Sequence, residues 1–248
     1  MARTRSTRIL LRVLWSLGAL VVLLVVGTVV WSQVGVMGAE PGPLAEAENN
    51  PAVTIEQTPE GVVLSPADGD SEVGLVFVPG AKVQPEAYLS TLEDLAADDG
   101  ITVVITRPWL NLAFFDPRGL DAFTSAAPEV GTWIVGGHSL GGVRACQLAA
   151  DADALVLFAS YCANDLSESA LPVLSLSGSE DGLSTPQKIA DTRHLLPESA
   201  ELIEIDGASH ASFGAYGPQA GDGTPAISDD DMRAEITESV GALAAGLD

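Results

Sequence analysis

Short apolar runs and amphipathic stretches alternate along the chain from about residue 70 onward. Continuous apolar runs of strand length are typical of strands buried on both faces, and apolar positions at helical spacing indicate helices. The predicted strands cover residues 73–80, 101–106, 132–137, 154–160, 171–178 and 200–206. The predicted helices cover residues 85–100, 119–127, 140–150, 185–196 and 228–246. This alternation predicts an α/β fold with a mostly parallel central sheet and helices on both faces.

The first 35 residues follow a different pattern, in which a basic start precedes a long apolar run. Four arginines lie within the first 12 residues, and no charged residue occurs from Val13 through Ala39. The apolar core of the run spans about 19 residues, and a helix needs about 20 to cross a bilayer. Basic flanks stay on the cytoplasmic side. We therefore expect a cytoplasmic segment at 1–12, a transmembrane signal anchor at 13–35, and a single-pass protein of the cell membrane whose main domain is extracytoplasmic.

A cleaved signal peptide is the alternative interpretation of the same segment. The apolar region of a signal peptide is about 7–15 residues long and is followed by small residues at the cleavage site. The run here is longer, but the sequence VMGA at 36–39 offers a place for cleavage. Cleavage would produce a secreted protein, so both interpretations place the main domain outside the cytoplasm.

The charge of the remaining chain is strongly negative. All 34 acidic residues lie after position 39, together with only seven of the eleven Lys and Arg residues, which gives this part a formal charge of −27. Such a surface disfavours binding to nucleic acid. Residues 36–51 are rich in Pro, Glu and Asn and predict a linker. Residues 52–248 then form one domain, which begins with a predicted hairpin at 53–66.

The chain has two cysteines, Cys146 and Cys162. An exported pair can form a disulfide, but one cysteine falls inside a predicted helix and the other just past a predicted strand, so the sequence leaves their pairing open. No CxxC or HExxH pattern predicts a metal site. The three aspartates after Ser228 suit the start of a helix, where the dipole favours negative charge. We expect neither a metal nor another cofactor.

The sequence GHSLG at 137–141 matches the pattern G-x-S-x-G between a predicted strand and a predicted helix. This pattern forms a sharp turn that exposes a nucleophilic serine at the upper edge of a sheet. Gly137 and Gly141 have no side chains, so the strand and the helix can approach each other closely on either side of the turn. We therefore predict that Ser139 is a nucleophile.

A serine nucleophile needs a base that accepts its proton. The chain has three histidines. His138 adjoins the serine and is expected to point elsewhere, and His194 falls in a predicted helix. His210 directly follows the last predicted strand, in a loop of small residues at the edge of the crevice. We therefore predict that His210 is the base.

The base in turn needs an acid that fixes its tautomer and stabilises its charged form. Asp181 lies just past a predicted strand and gives the chain order Ser, Asp, His that this kind of site has. Asp165, after the preceding strand, is the alternative acid. Glu180 is expected to point away, and Asp206 lies too close to His210 in sequence for comfortable pairing.

A tetrahedral intermediate also needs hydrogen-bond donors for its oxyanion. The backbone N–H of Leu140, the residue after the nucleophile, is one predicted donor. The second should come from the loop after the first core strand, where Gly80 lets the chain turn and Ala81 offers its N–H. Lys82 is expected either to add charge there or to lie on the surface.

With these motifs the sequence resembles the α/β-hydrolase superfamily, and within it the compact dienelactone-hydrolase-like branch of bacterial enzymes. The resemblance covers about residues 70–245 and rests on VPGAK, GGHSLGG, SGSEDGLSTP and GASHASFGAYGPQAGDG. It implies Ser139 as nucleophile, Asp181 as acid and His210 as base. Dienelactone hydrolases themselves use a cysteine nucleophile, where this sequence has Ser139.

The loops around the predicted crevice bear on the substrate. The segment 161–170 is too short for a helical lid. The loop 107–119 carries Trp109, Phe114 and Phe115, which either line an acyl pocket or pack the loop onto the domain, and the loop 213–223 with Tyr216 is a second candidate wall.

The function predicted from the sequence is a serine hydrolase that cleaves a carboxylic ester or related acyl bond of a small molecule through an acyl-enzyme. An acyltransferase on envelope lipid or glycan, and a non-catalytic binding protein of the same fold, are the alternatives.

Overall fold

The computed structural model describes residues 5–69 and 71–247, which contain one eight-stranded sheet. The strands are β1 (Val53–Gln57), β2 (Gly61–Pro66), β3 (Val73–Val78), β4 (Thr102–Thr106), β5 (Thr132–His138), β6 (Ala154–Phe158), β7 (Val173–Gly178) and β8 (Glu201–Ile205). Their order across the sheet is β1-β2-β4-β3-β5-β6-β7-β8. The predicted hairpin forms β1 and β2, and β2 also pairs antiparallel with β4. All other neighbouring strands are parallel.

The order in which strands are added to the sheet reverses at β3, because β4 is added on one side of β3 and β5 on the other. This strand lies between β4 and β5 and is parallel to both. In open parallel sheets, ligands bind in the crevice outside the carboxyl ends of the strands at such a reversal. The loops that follow β3 and β5 therefore lie where the fold provides a site.

Helices precede the sheet and cover both of its faces. They are α1 (Arg5–Gln33), α2 (Pro41–Glu48), α3 (Leu89–Ala97), α4 (Asp121–Thr124), α5 (Leu140–Leu148), α6 (Pro186–Thr192) and α7 (Asp229–Ala245). The predicted helix at 85–100 begins as a 3-10 turn before α3, and the one at 119–127 is reduced to the single turn of α4.

Successive side chains of the inner strands enter two separate cores. Leu75 and Phe77 pack on one face of the sheet with α3 and α7, whereas Val76 and Val135 pack on the other with α4 and α5. This alternation is the two-residue period of a strand. A mostly parallel sheet buried on both faces confirms the predicted fold class.

The segment predicted to be a linker contains a helix instead. α2 starts at Pro41, where the missing N–H of proline costs no hydrogen bond because the first turn of a helix has no acceptor for it. Ala47 is 1% exposed and joins the core on the α3 side of the sheet. Met37, Ala39 and Leu44 are partly buried against the same core, so a few apolar residues within a polar composition attach the segment to the domain.

α1 is a long apolar helix near the start of the chain. Its residues Ile9–Gln33 are long and apolar enough to span a membrane or to form a signal sequence, and the core of this stretch is not buried against the domain. The first four residues of the predicted basic segment lie outside the described residues.

Candidate active site

Ser139 lies at the turn between β5 and α5. Its backbone has φ 53° and ψ −123°, a positive-φ conformation that is rare for a residue with a side chain. The turn is held by the N–H of Ser139, which donates to the carbonyl of Phe158 at 3.0 Å, and by the carbonyl of Ser139, which accepts from the Ser160 hydroxyl at 2.6 Å. Strain of this kind persists only where the surroundings enforce it and is frequent at active sites.

The glycines around Ser139 allow the close approach that the sequence predicts. A side chain at Gly137 would overlap the backbone of Gly141, and a side chain at Gly141 would overlap the carbonyl oxygen of Val78. Helix α5 therefore begins in direct contact with the ends of β5 and β3. Only glycine fits at these two positions without a shift of the backbone.

His210 and Asp181 form a buried pair. The Nδ1 of His210 lies 2.8 Å from Oδ2 of Asp181, and the two side chains are 2% and 0% exposed. The other oxygen of Asp181, Oδ1, accepts from the N–H groups of Leu183 and Ser184 at 2.7 and 2.6 Å. An ionised carboxylate only accepts hydrogen bonds, so Nδ1 carries the proton and Nε2 of His210 is the free acceptor.

Ser139 and His210 line the same cleft, which has a volume of about 240 Å³. The remaining lining residues are Leu140, Val143, Ser160, Tyr161, Leu183, Ser184 and Gln219. Among the described hydrogen bonds, none joins the hydroxyl of Ser139 to His210. Catalytic hydrogen bonds are often long until substrate binds.

Two backbone N–H groups just past the ends of β3 and β5 have no acceptor within the described part of the chain. They belong to Leu140, the first residue of α5, and to Ala81, in the loop after β3. The neighbouring N–H groups are occupied, since Gly80 donates to the Tyr88 hydroxyl and Lys82 donates to the carbonyl of Asn111. These two free donors are the pair that the sequence predicts for an oxyanion.

The sequence model of the alpha/beta hydrolase family matches residues 74–234, well over half of the chain. The chain belongs to the alpha/beta hydrolase family. The matched range contains β3 to β8 and the loops that carry Ser139, Asp181 and His210. No curated protein matches the chain.

His138 of this hydrolase holds three parts of the site together, a role that the sequence did not indicate. Tyr88 accepts from the N–H of Gly80 at 2.9 Å and lies 2.9 Å from Nδ1 of His138, while Nε2 of His138 lies 3.1 Å from the carbonyl of His210. The Tyr88 hydroxyl therefore donates to Nδ1, and Nε2–H donates to the carbonyl. The network links the loop after β3, the turn at Ser139 and the loop of the base.

The network requires a neutral His138 and a protonated Tyr88. Burial, followed by the charge of His210, holds the pKa of His138 well below its usual value. Burial raises the pKa of the Tyr88 phenol. Both groups therefore keep the protonation states that the three hydrogen bonds need at neutral pH, which leaves His210 as the histidine in the cleft that is available to exchange a proton.

Asp222 is a second residue of the hydrolase that sequence reasoning missed. Its Oδ1 accepts from the N–H groups of Gly182, His210 and Gly223 at 3.0, 3.1 and 2.8 Å, and its Oδ2 accepts from Ala211 at 2.8 Å. It thus joins the loop of the acid to the loop of the base. The only sequence signal was its place in the quoted motif GPQAGDG, which suggests loop shape and not these contacts.

We expect Asp222→Asn to lower kcat/KM by up to about a hundred-fold, because a small displacement of catalytic groups has an effect of that order. Asparagine presents one acceptor oxygen where the carboxylate presents two. Its NH2 group would face either the N–H of Ala211, or the N–H groups of Gly182, His210 and Gly223, so in either orientation at least one hydrogen bond to the base loop is lost. Asp68→Asn, which makes the same change in the exposed turn before β3, is the control. Equal kcat/KM for Asp222→Asn and wild type would contradict the positioning role.

We expect Asp222→Asn also to change how the free energy of unfolding depends on pH. Burial alone would raise the pKa of Asp222, but its backbone N–H donors outweigh burial and lower it. A carboxyl whose pKa is lower in the folded state stabilises the fold above its unfolded pKa of about 3.9 and loses this contribution as the pH falls toward the folded value. Urea unfolding between about pH 6 and 3, a range set by those pKa values, should therefore show a smaller acid-induced loss in Asp222→Asn than in wild type.

The structure does not bring the predicted pocket residues to the cleft. Trp109, Phe114 and Phe115, all within the described residues, are 56%, 74% and 45% exposed and do not line it. Tyr216 is 7% exposed and packs against Tyr88 and His138 behind the base. Apolar composition predicted that these residues line the crevice, but none of the four is among the lining residues of the cleft that holds Ser139.

The alternatives for the base and the acid lie elsewhere. His194 is exposed, and its Nδ1 contacts the carbonyl of Asp191. Asp165 is exposed and accepts from the N–H of Ser167, while Asp206 contacts the hydroxyl of Ser179 at 3.5 Å. The ammonium of Lys82 turns away from the cleft toward the carbonyl of Trp31.

The two cysteines of the hydrolase form a disulfide. Cys146 lies in α5 and Cys162 in the loop after β6, and both are buried. The Asn164 side chain also donates to the carbonyl of Cys146 at 3.1 Å. The disulfide ties the helix that follows Ser139 to the loop that brings Ser160 and Tyr161 into the cleft.

Proposed function

We propose that the protein is a serine hydrolase that cleaves an ester-type acyl bond through a Ser139–His210–Asp181 triad. The observation that carries this proposal is the buried hydrogen bond of His210 with Asp181 on the cleft that also holds Ser139. A base oriented by an acid beside a solvent-accessible serine is the arrangement needed to activate a hydroxyl. The resemblance to dienelactone-hydrolase-like enzymes, with serine in place of their cysteine, belongs to the same proposal.

In the first step, Nε2 of His210 accepts the proton of Ser139 while Oγ attacks the carbonyl carbon of the substrate. The ionised Asp181 holds Nδ1–H of His210 and stabilises the imidazolium that forms. The free N–H groups of Leu140 and Ala81 donate to the oxyanion of the tetrahedral intermediate. The imidazolium then protonates the leaving alcohol, and an acyl-enzyme on Ser139 remains.

In the second step, water replaces the alcohol. His210 accepts a proton from the water as it attacks the acyl carbon, and the same two N–H groups hold the second oxyanion. Collapse of that intermediate releases the carboxylic acid and returns the proton to Ser139. Side chains and backbone groups of the chain perform every part of this scheme, so the proposal includes no cofactor.

We also propose that α1 anchors the protein in the cell membrane and that the domain lies outside the cytoplasm. The arginines before α1 and in its first turns favour this orientation. The disulfide between Cys146 and Cys162 supports it, because disulfides persist in oxidising compartments and are rare in the cytosol. Release as a secreted protein, after cleavage near residue 39, is the alternative.

An acyltransferase would use the same acyl-enzyme and differ only in the acceptor of the second step. The geometry does not favour it, since Ser139 and Leu140 are partly exposed to solvent at the mouth of the cleft and water can reach the acyl group. A non-catalytic binding protein would need neither the strained turn at Ser139 nor a buried acid behind His210.

Labelling with a fluorophosphonate probe tests the proposed function. Wild-type protein should react at one serine, and Ser139→Ala should not react. Absence of labelling in folded wild-type protein, or equal labelling of the variant, would exclude a serine hydrolase that uses Ser139. A panel of p-nitrophenyl esters of increasing chain length then gives the acyl preference.

A further inference from the structure

The carboxyl end of α1 is attached directly to the loops beside the candidate active site. The ammonium of Lys82 contacts the carbonyls of Trp31 and Val34 at 2.8 and 3.2 Å and lies 3.7 Å from the centre of the Trp31 ring. The amide of Asn111 donates to the carbonyl of Ser32 at 3.3 Å. The helix end thus contacts the domain through Trp31, Ser32 and Val34, and no free linker separates the two.

The chain that follows α1 continues this attachment. The N–H of Met37 donates to the carbonyl of Lys82 at 2.7 Å, and the N–H of Gln84 donates to the carbonyl of Met37 at 2.9 Å. These bonds add a short parallel pairing to the loop after β3, the loop that carries Ala81. The direction of α1 therefore sets the direction in which the candidate active site faces.

Exposed apolar side chains are concentrated at this attachment. Outside α1, five large apolar side chains of the described residues are exposed. Four of them, Val34, Trp109, Phe114 and Phe115, lie at the end of α1 or on the loop that contacts it, and the fifth is Leu202 on β8. Exposed apolar patches of this kind mark interaction sites.

Basic residues are concentrated on the same side of a strongly acidic domain. Four of the seven Lys and Arg residues after position 39 are linked through this loop. Lys82 donates its N–H to the carbonyl of Asn111, the Arg118 side chain donates to the carbonyl of Arg107, and the Arg144 side chain donates to the carbonyl of Arg118. Two of these four cations are already paired with carboxylates, Arg107 with Glu86 and Arg118 with Asp116. The exposed apolar side chains, rather than charge, therefore favour contact with a lipid surface.

We propose that Val34, Trp109, Phe114 and Phe115 form a membrane face that lies in the interface of the bilayer that α1 spans. Trp favours the headgroup level of a membrane, and Trp and Phe on an apolar face bury at the boundary of headgroups and acyl chains. The end of α1, hydrogen-bonded to the loop that carries the face, holds it there. A second copy of the chain is the less favourable partner for this face. It would have to displace lipid from a surface that α1 already holds at the bilayer.

The membrane face also indicates a substrate class for the proposed hydrolase. This substrate class rests on the proposed function. Ala81, a proposed oxyanion donor, is the chain neighbour of Lys82, whose side chain binds the end of α1. Consecutive Cα atoms are about 3.8 Å apart, so this proposed donor lies next to the attachment of α1 and close to the bilayer surface. The substrate is an amphiphilic ester that resides in the membrane, with its acyl bond near the headgroup level.

Fluorescence of a label on the membrane face tests its position without any need for turnover. The full-length chain carrying Phe114→Cys is labelled with the fluorophore NBD and reconstituted into phosphatidylcholine vesicles that contain lipid with a doxyl quencher near the headgroup. We expect a blue-shifted emission and a loss of fluorescence through quenching. Leu202→Cys, the exposed apolar position on β8, is the matched control and should show neither effect.

Three outcomes would overturn the membrane face. Equal emission and quenching at positions 114 and 202 would show that the loop lies in water. A blue shift at 114 without quenching, together with disulfide cross-linking between copies of the unlabelled Phe114→Cys protein, would show that a second copy covers it. Native protein that starts near residue 40 would remove the anchor on which the face depends.

The substrate class is tested separately on unlabelled full-length protein in the same vesicles. A long-chain p-nitrophenyl ester dissolved in the bilayer should be hydrolysed with a kcat/KM about tenfold or more above that of the water-soluble acetate, a gain that burial of about two methylene groups would supply. Equal or lower kcat/KM for the long-chain ester would overturn the substrate class. No hydrolysis of either ester would instead contradict the proposed function, while the quenching result would still decide the position of the face.

Discussion

The Ser139→Ala variant is expected to hydrolyse p-nitrophenyl esters about a million-fold more slowly than wild type in kcat, the order of loss seen when a serine nucleophile is removed. Without Oγ no acyl-enzyme can form, and only the two N–H donors and substrate binding remain to assist water. Alanine fits the same backbone as serine, so the turn between β5 and α5 should be kept. Steady-state kinetics at neutral pH measures the effect.

The control for this variant is Ser199→Ala, which makes the same change at an exposed site away from the cleft. It should retain wild-type kcat. Thermal unfolding of both variants shows whether the fold is retained. A folded Ser139→Ala protein that keeps more than about a hundredth of wild-type kcat would mean that another group performs the attack, since loss of one nucleophile lowers kcat by several orders of magnitude.

Asp181→Asn is expected to lower kcat/KM by about ten thousand-fold, because asparagine in the place of the acid favours the wrong tautomer of the histidine. The amide nitrogen would face Nδ1 of His210 or the N–H groups of Leu183 and Ser184, and neither orientation keeps all three hydrogen bonds. With Nε2 protonated, His210 cannot accept the proton of Ser139. The ratio of kcat/KM values for variant and wild type measures the loss.

Asp165→Asn is the matched control for the acid, since Asp165 was the alternative on sequence grounds. It is exposed and contacts only its own turn at Ser167, so its substitution should change kcat/KM little. The opposite pattern, with a large loss in Asp165→Asn and a small one in Asp181→Asn, would assign the acid to the loop after β6.

Much of the architecture follows from local patterns in the sequence. β3 and β5 are buried on both faces. A continuous apolar run identifies such a strand without reference to distant parts of the chain. The glycines at 137 and 141 identify the turn at Ser139 because a steric requirement fixes their spacing. The order of Ser139, Asp181 and His210 led to the expectation that the last two meet, and the structure brings them together.

The contacts by which Tyr88, His138 and Asp222 join separate loops were missed because they connect residues far apart in the chain. Tyr88 meets His138 across 50 positions, and Asp222 meets Gly182 across 40. Neither contact has a spacing or periodicity of its own, because both arise only after the sheet brings the loops to one edge. The helix α2 was missed for a related reason, since Leu44 and Ala47 hold it to a core that only the folded domain provides. At Phe114 the apolar composition of the loop was misleading. It predicted a residue that lines the crevice, whereas the side chain is exposed to solvent.

The most direct test of the account is the site of the covalent acyl group during turnover. Wild-type protein mixed with a p-nitrophenyl ester and quenched in acid within the first turnover should gain one acyl group, and peptide mapping by mass spectrometry should place that group on Ser139. Release of p-nitrophenol should show a burst of one equivalent before the steady state whenever deacylation is the slower step. An acyl group on another residue, or its absence in rapidly quenched samples of protein that is turning over substrate, would contradict Ser139 as the nucleophile.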